Sequence, residues 1–242
     1  HAGGRRQTNR PRRGADLRYM LEVNFKEVLE GVEKDLEFDS EVSCKPCNGS
    51  GSEPGKQPER CPTCGGAGQV VSSQGFFSVA TTCPACRGTG QLIRHPCKTC
   101  KGKGRQVESR KIRVTIPKGV STGTRLRVSG EGEDGYLGGP KGDLYVELRV
   151  RDDQRFERQG DDLHGKVSIS YVQAILGSEV EVETLDGKKK MAVPAGTAPN
   201  HILKMKGLGL PSIRTGQRGD LCLHVDLTIP KKLNKEEERL LR

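Results

Sequence analysis

The sequence predicts a mainly β protein: two homologous, β-sandwich-like subdomains in tandem, with a cysteine-rich β-hairpin module inserted into the first. Three observations carry this expectation. The chain resembles itself at a fixed offset over forty residues. A second offset aligns the segments that precede them. The difference between the two offsets is filled by four copies of one cysteine–glycine motif.

Shifted by 77, residues 111–150 fall on 188–227 without a gap. Ten positions are identical: Lys111/Lys188, Pro117/Pro194, Gly119/Gly196, Leu126/Leu203, Gly130/Gly207, Gly132/Gly209, Gly139/Gly216, Gly142/Gly219, Asp143/Asp220 and Leu144/Leu221. Six of the ten are glycine or proline, so the copies share turn geometry above all. Leu144, Val146, Leu148 and Val150 alternate with polar residues, as do Leu221, Leu223, Val225 and Leu227. That period of two belongs to strands with one buried face. Shifted by 146, Asp16-Leu17 falls on Asp162-Leu163, Leu21, Val23 and Phe25 on Val167, Ile169 and Tyr171, Val28, Leu29 and Gly31 on Ala174, Ile175 and Gly177, and Leu36 on Val182. The offsets differ by 69, so the first copy carries a 69-residue insertion between about residue 38 and residue 111. The expected divisions are a basic lead segment at 1–15, a first β subdomain at 16–43 and 105–152, the cysteine module at 44–104, a second β subdomain at 153–229, and the start of a helix at 230–242.

Each copy is expected to hold one short helix among its strands, Phe25–Glu30 in the first and 172–176 in the second. Asn234 followed by Glu237 is a capping-box pattern, and 236–242 reads as a helix start. Lys188, Lys189 and Lys190 after Asp186-Gly187 read as a solvated hairpin turn. The run 130–142, with Glu131, Glu133 and Asp134 among its glycines, fails the spacing of an EF-hand calcium loop and reads as a flexible loop.

Composition narrows the function classes. Only 32% of the 242 residues are hydrophobic and none is Trp, which argues against one large core. The formal charge of +10 suggests nucleic acid, but Arg5, Arg6, Arg10, Arg12, Arg13 and Arg18 against Asp16 place half the excess in one tail. Eight thiolates around two dications would lower the charge by four more. Stacking platforms are sparse, with five Phe and four Tyr. No apolar run approaches the length of a membrane span, and no signal peptide is visible; the His-Ala-Gly-Gly opening reads as a cut end.

The cysteine motifs are Cys44-Lys-Pro-Cys47-Asn-Gly-Ser-Gly51, Cys61-Pro-Thr-Cys64-Gly-Gly-Ala-Gly68, Cys83-Pro-Ala-Cys86-Arg-Gly-Thr-Gly90 and Cys97-Lys-Thr-Cys100-Lys-Gly-Lys-Gly104. Two cysteines three apart on a tight turn aim both sulfurs at one ion, and a tetrahedral Zn²⁺ takes four thiolates. Four motifs therefore predict two Zn²⁺ per chain. Disulfides in an oxidising compartment and iron–sulfur clusters are the competing readings. The module has few apolar residues to bury, so metal must supply much of its folding energy. The tip at Gln74-Gly75-Phe76-Phe77 either exposes two aromatic rings for contact or covers the zinc turns. Cys222, across the strand from Leu221 and Leu223, reads as an inert thiol, and none of His95, His164, His201 and His224 shows a catalytic carboxylate pattern.

Four CxxCxGxG motifs inserted into the first of two related β units resemble the type I, bacterial-type DnaJ (Hsp40) co-chaperones. The Arg-Pro-Arg-Arg-Gly-Ala-Asp-Leu run at 10–17 and Ile-Pro-Lys-Gly-Val at 116–120 are similar to that family as well. The resemblance implies one zinc held by Cys44, Cys47, Cys97 and Cys100, and a second by Cys61, Cys64, Cys83 and Cys86. It implies an apolar peptide-binding pocket at Leu17, Leu36 and Phe38, closed by Ile112 or Val114, beside an edge strand of the first unit. The competing reading makes these five ordinary core residues. The second copy has Thr184 in place of Phe38, which suits a pocket confined to the first.

The implied function is a cytoplasmic, non-enzymatic co-chaperone that binds unfolded polypeptide, prevents its aggregation and delivers it to Hsp70. The family's His-Pro-Asp motif does not occur, since His95-Pro96 is followed by Cys97. The expectation is a fragment without the J domain and most of the dimerisation segment: a homodimer in the full-length protein, weakly paired or unpaired here. Thiol–disulfide oxidoreductase activity and a nucleic-acid-binding zinc protein are the alternatives from other classes.

Overall fold

The computed structural model describes residues 11–74, 77–232 and 235–242. In chain order its elements are β1 (Leu17–Val23), α1 (Phe25–Glu30), β2 (Val32–Ser43), a 3₁₀ turn (Lys45–Cys47), β3 (Glu59–Arg60), β4 (Gln69–Gln74), β5 (Phe77–Thr82), β6 (Gln91–Leu92), β7 (Arg105–Ile116), β8 (Arg125–Val128), β9 (Leu144–Val150), β10 (Phe156–Gln159), β11 (Asp162–Ser170), α2 (Tyr171–Leu176), β12 (Ser178–Thr184), β13 (Gly187–Val193), β14 (Ile202–Met205), β15 (Leu221–Thr228) and α3 (Lys235–Leu241). Two compact units divide the chain. One comprises residues up to Tyr19, Asp35–Ile112 and Leu126–Val146; the other comprises Met20–Lys34, Arg113–Arg125 and the chain from Glu147 onward.

The duplication is visible element by element. The series β1–α1–β2 recurs as β11–α2–β12, and β7–β8–β9 recurs as β13–β14–β15. Each copy makes a larger sheet and a two-stranded one: β1-β9-β8 with β2-β7 in the first, β10-β11-β15-β14 with β12-β13 in the second. In the second copy β11 runs parallel to β15, Leu163 opposite Leu221, while β14 runs antiparallel to β15. The expected alternation points inward as it should: Leu144, Val146 and Leu148 are buried on β9, and Leu221, Leu223 and Val225 on β15.

Both short helices are fixed at each end. The Asn24 side chain accepts from Glu27 N at 2.9 Å while the Glu27 carboxylate accepts from Asn24 N at 2.8 Å. Ser170 and Gln173 repeat the arrangement on α2, which begins one residue before the expected 172. Gly31 and Gly177 end the helices at φ 71° and 78°, a region an L side chain rarely adopts. Helix α3 matches the expected C-terminal helix to within a residue, and its proposed cap Asn234 lies outside the described residues. One local expectation fails. Lys188, Lys189 and Lys190 lie in β13 rather than in a turn, because Thr184 and Gly187 face each other and the chain reverses just before them.

An aspartate knot ties the glycine-rich loop to the strands in each copy, with equivalent atoms. Asp143 N donates to Asp16 at 2.8 Å, and Gly130 N donates to Asp143 at 2.9 Å. Asp220 N donates to Asp162 at 2.7 Å, and Gly207 N donates to Asp220 at 2.8 Å. Arg127 lies 2.7 Å from Asp143, and Lys204 lies 3.3 Å from Asp220. The N–H of Gly130 draws the Asp143 carboxyl below its ordinary range, and Arg127 adds to this against the effect of burial; Gly207 and Lys204 do the same for Asp220. A carboxylate lowered in the folded state stabilises fully above its unfolded pKa and loses that contribution as pH falls through the folded value. Thermal stability should therefore decline below about pH 4. Asp143→Asn and Asp220→Asn should each lower the melting temperature at pH 7 and flatten that acid limb. An acid limb unchanged in both variants would show that other groups titrate there.

Candidate functional site

All eight motif cysteines are free thiols gathered into two tetrads, Cys44, Cys47, Cys97 and Cys100, and Cys61, Cys64, Cys83 and Cys86. Within each tetrad the sulfurs lie within 4.8 Å of one another. Across the motifs, Cys44 and Cys97 stand 3.9 Å apart and Cys47 and Cys100 3.7 Å, and Cys61 and Cys83 stand 3.9 Å apart and Cys64 and Cys86 3.7 Å. Four sulfurs about 2.3 Å from a tetrahedral ion stand about 3.8 Å apart, so either tetrad fits one such ion. Seven of the eight cysteines are buried; Cys64 is half-buried.

Glycine makes the convergence possible. The last glycine of each motif turns its N–H onto the second cysteine's sulfur: Gly51 onto Cys47 at 3.3 Å, Gly68 onto Cys64 at 3.3 Å, Gly90 onto Cys86 at 3.3 Å and Gly104 onto Cys100 at 3.2 Å. A side chain there is impossible. A Cβ on Gly51 would stand 2.5 Å from the carbonyl oxygen of Gly102, and one on Gly104 would stand 2.4 Å from that of Gly49. Gly68 meets Gly88 at 2.5 Å and Gly90 meets Gly66 at 2.4 Å in the same way. Backbone bonds seal each pair, Cys44 N to Gly104 O and Cys97 N to Gly51 O, then Cys61 N to Gly90 O and Cys83 N to Gly68 O. Motif one thus closes on four and two on three.

The thiols within a tetrad are set apart electrostatically. The N–H of Cys100 draws the Cys97 thiol down to about 7, whereas burial pushes Cys44 up to about 12. Thiols packed this closely cannot all ionise on their own, and a dication would remove that conflict.

The loop expected to be flexible, 130–142, is pinned and supports the module's base. Ser43 N, next to Cys44, donates to the Asp134 carboxylate at 2.8 Å, and Asp134 N donates to Glu41 O at 3.0 Å. Arg105, on the returning strand β7, donates to Asp134 O at 2.9 Å and to Glu41 O at 3.0 Å, with its guanidinium 4.3 Å from the Tyr136 ring centre. Burial pushes the Asp134 carboxyl up, but the Ser43 N–H and Lys141 outweigh it and hold the group below its ordinary range. Glycine serves close approach here: a Cβ on Gly135 would lie 2.2 Å from Gly139 O. Asp134 and Arg105 were not legible as anchors, because their partners lie 91 and 64 residues away.

Of the five apolar positions, Leu17, Phe38 and Ile112 are half-buried, while Leu36 is 1% exposed and Val114 5%. Ile112 and Val114 share one face of β7; Val114 continues into the buried run with Ile116, and Ile112 stays nearer the surface. Tyr19 joins them, its ring centroid 6.4 Å from that of Phe38 at 59°. Period-two alternation from Leu17 through Leu21 could have found it.

The second copy fills the equivalent space differently. Gly165 stands where the first copy has Tyr19, and Phe156 of β10 reaches over it, with Cδ1 3.0 Å from the position of a Cβ on Gly165. Strand β10 covers the outer edge of β11, whereas β1 is the edge of its own sheet, with no strand beyond it among the described residues. Thr184, the counterpart of Phe38, donates to Gly187 O at 2.6 Å and closes the β12–β13 turn. The Phe/Thr contrast therefore has a local cause besides any groove. The Phe76 of the module tip lies outside the described residues.

The family profile described as "DnaJ C terminal domain" matches residues 17–230. A "Chaperone protein DnaJ" of Bdellovibrio bacteriovorus is 56% identical over 238 residues, covering 98% of this chain and 64% of that protein. Proteins of the same name from Syntrophobacter fumaroxidans and Allorhizobium ampelinum are each 46% identical, over 99% and 95% of this chain and 62% and 61% of their own lengths. The chain thus spans less than two thirds of the curated relatives it matches. No helix among the described residues is long and apolar enough to cross a membrane.

Two tetrads of this geometry predict two tightly held divalent ions per chain by elemental analysis. Cys61→Ser with Cys64→Ser should leave one ion and preserve the β-sheet circular dichroism of the two copies. A single ion in the intact chain, or none in the double variant, would contradict two independent centres.

Proposed function

Since this chain belongs to the DnaJ family, we propose that it is the part of a co-chaperone that holds non-native polypeptide, with each tetrad closed around one Zn²⁺. Cys44, Cys47, Cys97 and Cys100 would hold one ion, and Cys61, Cys64, Cys83 and Cys86 the other. Zinc would supply folding energy to a module that buries little besides its own sulfurs. The observation that carries the polypeptide reading is the edge of β1 in the first copy, which has no strand beyond it among the described residues. Beside it lie the half-buried Leu17, Tyr19, Phe38 and Ile112. An extended client segment pairs its backbone with an open strand edge and seats apolar side chains in the adjoining pocket, which makes binding tolerant of sequence. The buried Leu36 is the floor of that pocket, and Ile112 is the residue that closes it.

The working boundaries are a client-binding unit at 16–43 and 105–152, the zinc module at 44–104, and a second β unit at 153–229. Delivery of clients to Hsp70 and pairing of two chains belong to the full-length protein, in a reducing compartment such as the cytoplasm. The chain is proposed to act by binding, without catalysis. Thiol–disulfide exchange is the second reading, and the half-buried Cys64 is the observation that favours it. Thiol titration before and after a chelator separates the two: zinc-held thiolates are quiet until the metal is removed.

Phe38→Ser should weaken binding of an apolar peptide about tenfold, or about 1.4 kcal/mol, and leave the melting temperature nearly unchanged. Val182→Ser, at the buried counterpart of Leu36, should lower the melting temperature and spare peptide affinity. If Phe38→Ser melts early while its folded fraction binds peptide normally, the aromatic patch is core and the pocket lies elsewhere.

A further inference from the structure

Two histidines outside both tetrads face each other on the second copy. His164 on β11 and His224 on β15 lie on neighbouring parallel strands, where Cys222 is opposite His164 and Lys166 is opposite His224. Nδ1 of His164 stands 3.1 Å from Nε2 of His224, and the ring centroids are 5.4 Å apart at 38°. Both rings are half-buried and line a cleft of about 890 Å³ shared with Glu157, Glu181 and Glu183. Neither histidine stands out in the sequence, since sixty residues separate them.

We propose that His164 and His224 form a third metal site, a solvent-open clamp for one borderline divalent ion such as Zn²⁺, Ni²⁺ or Cu²⁺. Imidazole nitrogens about 2.0–2.1 Å from a tetrahedral ion stand about 3.3 Å apart, so the rings need open only slightly to receive it. In the metal-free pair one ring donates its N–H to the other. On binding, that proton moves through solvent to the donor's second nitrogen, and both facing nitrogens present lone pairs to the ion. Glu157 on β10 is the cross-strand partner of His164 and stands on the same face. Water completes the coordination. Cys222 shares that face, but burial pushes its thiol up and keeps it protonated. Lys166 opposes a cation; around the cleft Asp153 and Glu183 pair with Arg155 and Glu181 pairs with Lys188, and the Glu157 carboxylate offsets Lys166. Two imidazoles with open positions make an exchangeable site for imidazole-preferring metals, unlike the closed tetrads.

The test uses the whole chain with both tetrads zinc-loaded, titrated with Ni²⁺ in a calorimeter at pH 7.5. One additional ion is expected. His164→Ala and His224→Gln should each weaken it at least tenfold, while elemental analysis still finds the two tetrad ions and melting temperatures confirm folding. Ions held by His1, His95 or His201 would survive in both variants. No additional ion in the intact chain, an affinity unchanged in the variants, or a loss confined to one of them would overturn the two-histidine clamp.

Discussion

The cysteine module rests on one reciprocal contact, made twice. In each pair of motifs the last glycine of one lies against a carbonyl of the other while its own N–H reaches a sulfur. That approach brings four sulfurs to within 4.8 Å. A methyl group at any of these glycines would push the paired turns apart, and the sulfurs could no longer surround one point. Few apolar side chains are available to compensate: around the second tetrad the supporting hydrophobics are Val70 and Leu92. An ion held at the centre would add the stability that packing does not supply.

Duplication followed by divergence explains the difference between the two β units. Both keep the aspartate knot, the capped helix and the glycine that ends it. They part at one sheet edge. The second copy lays β10 along it and fills the space over Gly165 with Phe156, a ring only 6% exposed. The first copy has Tyr19 and Phe38 there and leaves β1 without an outer neighbour among the described residues. Main-chain groups along such an edge seek partners.

The module's base is held by charge more than by packing. Asp134, Arg105 and Glu41 connect the pinned loop to both legs, β2 and β7, just where they enter the cysteine turns. Those legs are 12 residues long, against seven in β12 and β13, so the insertion extends a hairpin that the second copy closes at Thr184 and Gly187. In the second copy, Arg218 from the matching loop meets Asp186 at the corresponding hairpin tip, at 2.9 Å. A contact between loop and hairpin is common to both copies, and in the first it grips the root of the insertion.

The sequence by itself determined the tandem repeat, the place of the insertion, both helices within a residue of their observed starts, and the composition of the cysteine turns. All of these rest on local spacing: CxxCxGxG is a single turn, and a period of two is a single strand. The pairing of motifs one with four and two with three was implied only by family resemblance; the structure brings the sulfurs together across 53 and 22 residues. The anchoring of loop 130–142, the part played by Tyr19, the covering of β11 by β10 and the meeting of His164 with His224 were likewise decided by tertiary structure. Each depends on which strands become neighbours. Cross-strand proximity is set by sheet order and register, and the side-chain pattern of an isolated strand records which face is buried without recording what lies across from it.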